Sequence, residues 1–260
     1  MNLSLSFKPI SALFFGVLAA CSNATGKSNE VDQTNIFGDY TVIQDANSGK
    51  VTLLTWFRYA GQTGTTLRLT EGSSIAANNQ KMSLVEGSSQ ILNFTGSFYT
   101  NSFHSSAQTG DYTFVWNRND GKVFQNSIPA PKKIEAVVMM DGPDVIRAGQ
   151  TARISRSQSG FTATYDGSDL GDGEAIECSL WTDSEGDNAT SDFTTSAKWN
   201  SNLKNCVFKK ESLQRFRVGS ARLRMLRKWN QRNLAKGHER AGSNQSSLYE
   251  AQSIAVEILP

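Results

Sequence analysis

The chain has 260 residues, a formal net charge of +2 and 19% charged residues. That length admits a leader plus one large or two ordinary domains, and so small a net charge gives no argument for a nucleic-acid partner. Serine, threonine, asparagine and glycine are plentiful while charges are few, which is the composition of an extracytoplasmic β protein.

An apolar run at 10–20, broken by Ser11 and Gly16, follows a single positive charge at Lys8. It is about half of the roughly 20 apolar residues that a spanning helix needs, and matches the core of a signal peptide instead. Residues 1–20 are therefore read as a leader. Residues 21–34, rich in Ser, Asn, Gly, Lys and Glu, are read as a flexible tether. From 35 to 131, short β-branched and aromatic runs alternate with turn residues about every ten positions, the pattern of a sandwich or barrel. Strands are predicted at 40–44, 51–59, 66–70, 82–85, 91–98, 111–117 and 122–125. Tyr112, Phe114 and Trp116 share one face of the sixth, and Asp120-Gly121 predicts a type I′ hairpin after it. Ile128-Pro129-Ala130-Pro131 breaks the pattern, because two prolines cannot join a central strand. From 132 to 260 further strands are predicted at 136–140, 151–155, 161–165, 175–181, 205–208, 214–218, 222–226 and 253–258. Arg222-Leu223-Arg224-Met225 alternates at strand period although its composition suits a helix. The expected fold is all-β: two tandem antiparallel β-sandwich domains, 35–131 and 132–260, after the leader and tether. A boundary that gives 134–140 to the first sandwich is nearly as well supported.

Leu18-Ala19-Ala20-Cys21 resembles the lipobox of bacterial lipoproteins. The resemblance implies cleavage before Cys21, a diacylglyceryl thioether on its sulfur and an acylated (palmitate-type) amine. Two or more acyl chains hold a protein stably at a membrane, at about 0.8 kcal/mol per buried CH₂. Ser22 in place of Asp implies sorting to the outer membrane if the cell is Gram-negative. An ordinary secretory cleavage site is the competing reading. Gly110-Asp111-Tyr112 followed by an Asp-Gly hairpin resembles the penultimate strand of immunoglobulin-like and PKD-like sandwiches, and implies a tyrosine corner at Tyr112. With Cys21 committed to lipid, Cys178 and Cys206 remain as an even pair, expected to form a disulfide in an oxidising compartment. Buried thiols or a metal site are the alternatives, but there is no CxxC, and His104 and His238 are the only histidines.

Charge is segregated in the second unit. Nine acids and no Lys or Arg lie between Ser157 and Ala197, and twelve basic residues against two acids lie between Lys204 and Arg240. One reading is a basic face for an anionic polymer such as lipopolysaccharide or peptidoglycan, carried by Arg215, Arg217, Arg222, Arg224, Arg227 and Lys228. The other is that acidic and basic strands are neighbours and pair. Asp183, Glu185 and Asp187 alternate as calcium ligands do, and equally as a solvated turn does. Trp199 and Trp229 sit among polar residues and suggest sugar stacking, while Trp56, Trp116 and Trp181 read as core. No catalytic motif is present, no cofactor is implied, and His104, Ser105 and Asp111 form no ordered triad. The expectation is a non-enzymatic lipoprotein whose partners are the membrane and an unidentified envelope or surface ligand. It would serve as a binding, adhesion or structural module. A polymer binder acting through 204–240 is the alternative, and a divergent hydrolase ranks last.

Overall fold

The computed structural model describes residues 25–89, 94–104, 110–140, 145–182, 205–214, 216–232 and 239–260. The first half supplies β1 (Gly26–Lys27), β2 (Ile36–Asp45), β3 (Lys50–Tyr59), β4 (Thr66–Arg68), β5 (Ser74–Ala77), β6 (Gln80–Lys81), β7 (Ser83–Ser89), β8 (Phe94–His104), β9 (Tyr112–Asn117) and β10 (Val123–Ile128). The second half supplies β11 (Glu135–Met140), β12 (Val145–Arg147), β13 (Thr151–Ser155), β14 (Gly160–Asp166), β15 (Glu174–Thr182), β16 (Asn205–Lys209), one helical turn α1 (Lys210–Leu213), β17 (Gly219–Arg232), β18 (Ser243–Glu250) and β19 (Ile254–Leu259). The β class is therefore as the alternation predicts. Among the described residues no helix is long and apolar enough to cross a membrane.

The strands build a sandwich-like arrangement around two main cores. In the first, Tyr112, Phe114 and Trp116 of β9 are buried as their shared face requires, and they meet Tyr40 of β2 and Phe57 of β3 at ring distances of 5.5 and 4.8 Å. In the second, Ile176, Cys178 and Leu180 of β15 and Ala221, Leu223 and Met225 of β17 join Phe161, Ala163 and Tyr165 of β14. Cys178 and Cys206 are disulfide-bonded, with Cα atoms 6.2 Å apart. The bond ties β15 of the largest sheet to β16 of a separate four-stranded sheet.

One feature lies outside anything the strand pattern carries. Among the described residues the largest sheet has 11 strands and runs through both halves, because β2 pairs in parallel with β18, from Gly38↔Ser243 to Asp45↔Glu250. Parallel pairs also join β13 to β19 and β1 to β4. The seam is polar and in large part paired, although the Ser243 hydroxyl, Asn244 Oδ1 and Asn126 Nδ2 are buried without a hydrogen-bond partner among the described residues. Thr41 and Ser246 hydroxyls meet at 2.8 Å, Gln245 Nε2 donates to Asn126 Oδ1 at 3.0 Å, and Asn244 Nδ2 donates to Asp39 Oδ1 at 3.0 Å. The polar strand β18 is buried because hydroxyls and amides meet partners across it.

Two local expectations are corrected. Residues 25–34 are not a free tether: β1 lies along β4, and Ser28 is buried with its hydroxyl 3.1 Å from that of Thr70. Their polar side chains, expected to face water, find hydroxyl partners on the sandwich. Residues 1–24, including the Leu18–Cys21 tetrad, lie outside the described residues. The turn after β9 is also not type I′. Only Gly121 has positive φ, at 80°, and its N–H donates to the Arg118 carbonyl. Arg118 grips the Asp120 carboxylate and leaves that residue at negative φ.

Gly160 opens β14 at φ 136°, where an added Cβ would stand 2.3 Å from the Phe208 carbonyl oxygen. Gly160→Ala is expected to cost about 2 kcal/mol and to lower the melting temperature by about 5 °C. A thermal melt of the variant that overlays the parent would refute this.

Candidate functional site

The second half presents an outer face built by simple alternation. While Ile176, Cys178 and Leu180 point into the core, Glu177, Ser179 and Trp181 of β15 point away from it. On β17 the same rule sends Arg222, Arg224 and Lys228 outward and leaves Leu223, Met225 and Arg227 on the inner side. Trp181 is register-paired with Arg222.

The predicted basic stripe is not a free cationic surface. Arg224 Nε and Nη2 donate to the two carboxylate oxygens of Glu250 at 2.6 and 2.7 Å. Lys228 pairs with Glu177 on the acidic strand beside it. Arg227 is 2% exposed, on the opposite face. Arg217 precedes β17 and Arg215 lies outside the described residues. The physical reason is sheet order: the acidic strand β15 is the antiparallel neighbour of the basic strand β17, so opposite charges pair across strands.

Arg227 organises the first acidic loop. Its Nη1 donates to the Ser168 carbonyl at 3.1 Å, and its Nη2 to the Asp169 carbonyl at 2.8 Å and to Glu174 Oε2 at 2.7 Å. The same Oε2 accepts the Gly171 N–H at 2.6 Å, and Lys132 Nζ stands 3.2 Å from Oε1. Burial pushes the Glu174 carboxyl up, but the hydrogen bonds from Arg227, Gly171 and Lys132 outweigh it and hold the group below the usual carboxylate range. Asp166 pairs with Arg147 at 3.0 Å. Among the described residues no group of three or more His, Cys, Asp or Glu is placed to hold a metal. The calcium candidates Asp183, Glu185 and Asp187 lie outside the described residues, as does Trp199.

Trp229 is half-buried and packs against the first core, where it lines a small pocket with Lys132, Glu174, Arg227 and Ser247. It is a junction residue rather than an open platform. His104 ends β8 and Asp111 stands just before β9, while Ser105 lies outside the described residues.

Trp181 takes the place intended for Trp229. It is 39% exposed. The Arg224 guanidinium carbon sits 5.4 Å from the ring centre, and Nε1 donates to Ser179 Oγ at 2.7 Å. The signal was available in the sequence: Trp181 stands three residues after the core-facing Cys178, an odd spacing that puts it on the other face of the strand. Its register partner Arg222 lines an open groove of about 630 Å³ together with Asn47, Gln150, Gln252 and Glu257 among others. Asn47 is fixed in place, its Oδ1 accepting the Ser253 N–H at 2.8 Å and its Nδ2 reaching the Ala251 carbonyl at 3.3 Å. Glu257 is held by Arg153 Nε at 2.9 Å. An indole and a guanidinium on the sheet, with planar amides on the adjoining turns, can hold a polar, ring-containing ligand.

No family model matches the chain, and no curated protein matches it. Among solved structures it is similar to the extracellular domain of BT4673 from B. thetaiotaomicron, at 11% identity over 83% of this chain and 24% of that one, with a TM-score of 0.25. It is also similar to the adhesin InvE of Yersinia pseudotuberculosis, at 15% identity over 85% of this chain and 59% of that one, with a TM-score of 0.20. The chain thus spans about a quarter and about three-fifths of those two chains.

Proposed function

We propose that this chain is a lipid-anchored, non-enzymatic binding module of the bacterial envelope, held at the outer membrane through Cys21. The observation that carries the binding role is the exposed Trp181 next in register to Arg222, which lines an open polar groove, on a face that also carries the Arg224–Glu250, Lys228–Glu177 and Arg153–Glu257 ion pairs. The Cys178–Cys206 disulfide favours an oxidising compartment. The anionic-polymer alternative loses its motive, since Arg224, Arg227 and Lys228 are already neutralised by Glu250, Glu174 and Glu177. Among the described residues the groove has Glu257 as its one acidic lining residue, and Arg153 already holds that carboxylate.

Two measurements test the proposal. The full chain should fractionate with membrane and become soluble on Cys21→Ala. Labelled protein should bind isolated bacterial envelopes, lose that binding on Trp181→Ala, and release no reducing sugar from them. Membrane retention that survives Cys21→Ala removes the anchor, and envelope binding indifferent to Trp181 removes the groove.

A further inference from the structure

We infer that the groove beside Trp181 takes an uncharged glycan chain rather than an anionic polymer. The inference rests on the reading of that groove as the binding face, and adds the chemical class of its ligand.

Charge balance is the first argument. A site for a polyanion needs cations whose fields are not cancelled nearby. Around the groove each acid has a base at bonding distance: Glu250 holds Arg224 in a two-point contact, and Glu257 holds Arg153. The lining itself carries one of each sign, Arg222 and Glu257. A phosphate or uronate chain entering here would meet a single lining cation, Arg222, and one carboxylate, Glu257.

The second argument is the type of polar group. Gln150 and Gln252 are amides with donors and acceptors in one plane, and Ser220 and Thr151 add hydroxyls, while Asn47 and Ser253 brace the rim by bonding each other. Sugar hydroxyls are donors and acceptors at once, and such a mixed lining satisfies both roles. A polyanion would leave the acceptors facing like charge.

The third argument is the platform. Arg224 backs the indole while the residue keeps 39% of its surface in solvent. Ser179 fixes the ring's tilt through Nε1. A flat apolar surface set beside amides suits the C–H face of a pyranose and supplies its affinity without charge. The groove is open and of about 630 Å³, a shape that admits a chain passing along it and not only a single ring.

Titration of the full chain with cellohexaose, xylohexaose, mannohexaose and maltohexaose, and separately with polygalacturonate, tests this. At least one neutral hexaose should bind, with an affinity that changes less than about twofold between roughly 0.05 and 0.5 M salt. Trp181→Ala should weaken it by about tenfold or more, while Trp181→Phe, which keeps a stacking ring and guards against a folding artefact, should stay within about threefold. Arg222→Gln, which removes charge but keeps a donor, should also stay within about threefold. Binding of polygalacturonate alone, weakened by salt and by Arg222→Gln but still dependent on Trp181, would overturn the uncharged class and leave the groove standing. Binding that is absent for every probe, or unchanged in Trp181→Ala, would overturn the groove reading itself.

Discussion

Glu174→Ala is expected to destabilise the fold by about 3 kcal/mol. The Glu174 and Arg227 side chains are 5% and 2% exposed and 2.7 Å apart, so truncating Glu174 leaves the guanidinium buried among neutral partners, the Ser168 hydroxyl and the Ser168 and Asp169 carbonyls. Replacing both, as Glu174→Ala with Arg227→Met, should recover much of the loss, because the apolar pair removes the desolvation cost along with the attraction. Urea unfolding of the single and double variants measures this directly; a double variant as unstable as the sum of its singles would show that the two groups do not act as a pair. The pair also sets a pH dependence. Glu174 is held below its usual value of 4.5, so its contribution is complete above that value and is lost as pH falls through the depressed one. Asp120, pulled down to about 2 by the Arg118 guanidinium, acts in the same direction further into acid. Stability of the parent should therefore fall from about pH 5 downward, and Glu174→Ala should flatten the first part of that fall.

Removing the disulfide should have an effect of similar size. The bond spans a sequence separation of 28, which corresponds to roughly 3.6 kcal/mol of loop-closure entropy in the unfolded chain. Both cysteines are 1% exposed, so the double variant Cys178→Ala, Cys206→Ala adds small cavities to that loss. Equilibrium unfolding of the double variant, set against the oxidised parent, should show a fall of at least about 3 kcal/mol. A fall below about 1 kcal/mol would mean that the two sheets of the second half are held together without the bond.

The elements that were legible in the sequence are those whose alternation is apolar against polar. β9, with Tyr112, Phe114 and Trp116, was read with its face, and Arg222-Leu223-Arg224-Met225 was read as strand despite a helical composition. β18 was not. Ser243, Gln245, Ser246 and Ser247 look like loop residues, yet all are buried, because their partners Thr41 and Asn126 lie more than a hundred residues away and no local pattern announces them. The same gap explains the parallel seam, which is a pairing between distant strands and leaves no mark on either alone. At the candidate site, Trp181 was classed with the core on its apolar neighbours, although its own alternation with Cys178 carried the opposite answer. The basic residues were visible, but their neutralisation followed only from which strand lies beside which.

The pairing of β2 with β18 also sets an order of events in time. β2 is made about 200 residues before its neighbour Ser243–Glu250; at 5–20 residues per second that is an interval of about 10–40 s. Throughout it, the eight residues Gly38–Asp45, most of them buried in the end, present one unpaired backbone edge, the kind of edge that recruits foreign strands. The nascent first half therefore has to be shielded until Ser243–Glu250 arrives. The cell's holding capacity for this protein, more than its final stability, then governs how much of it reaches the folded state.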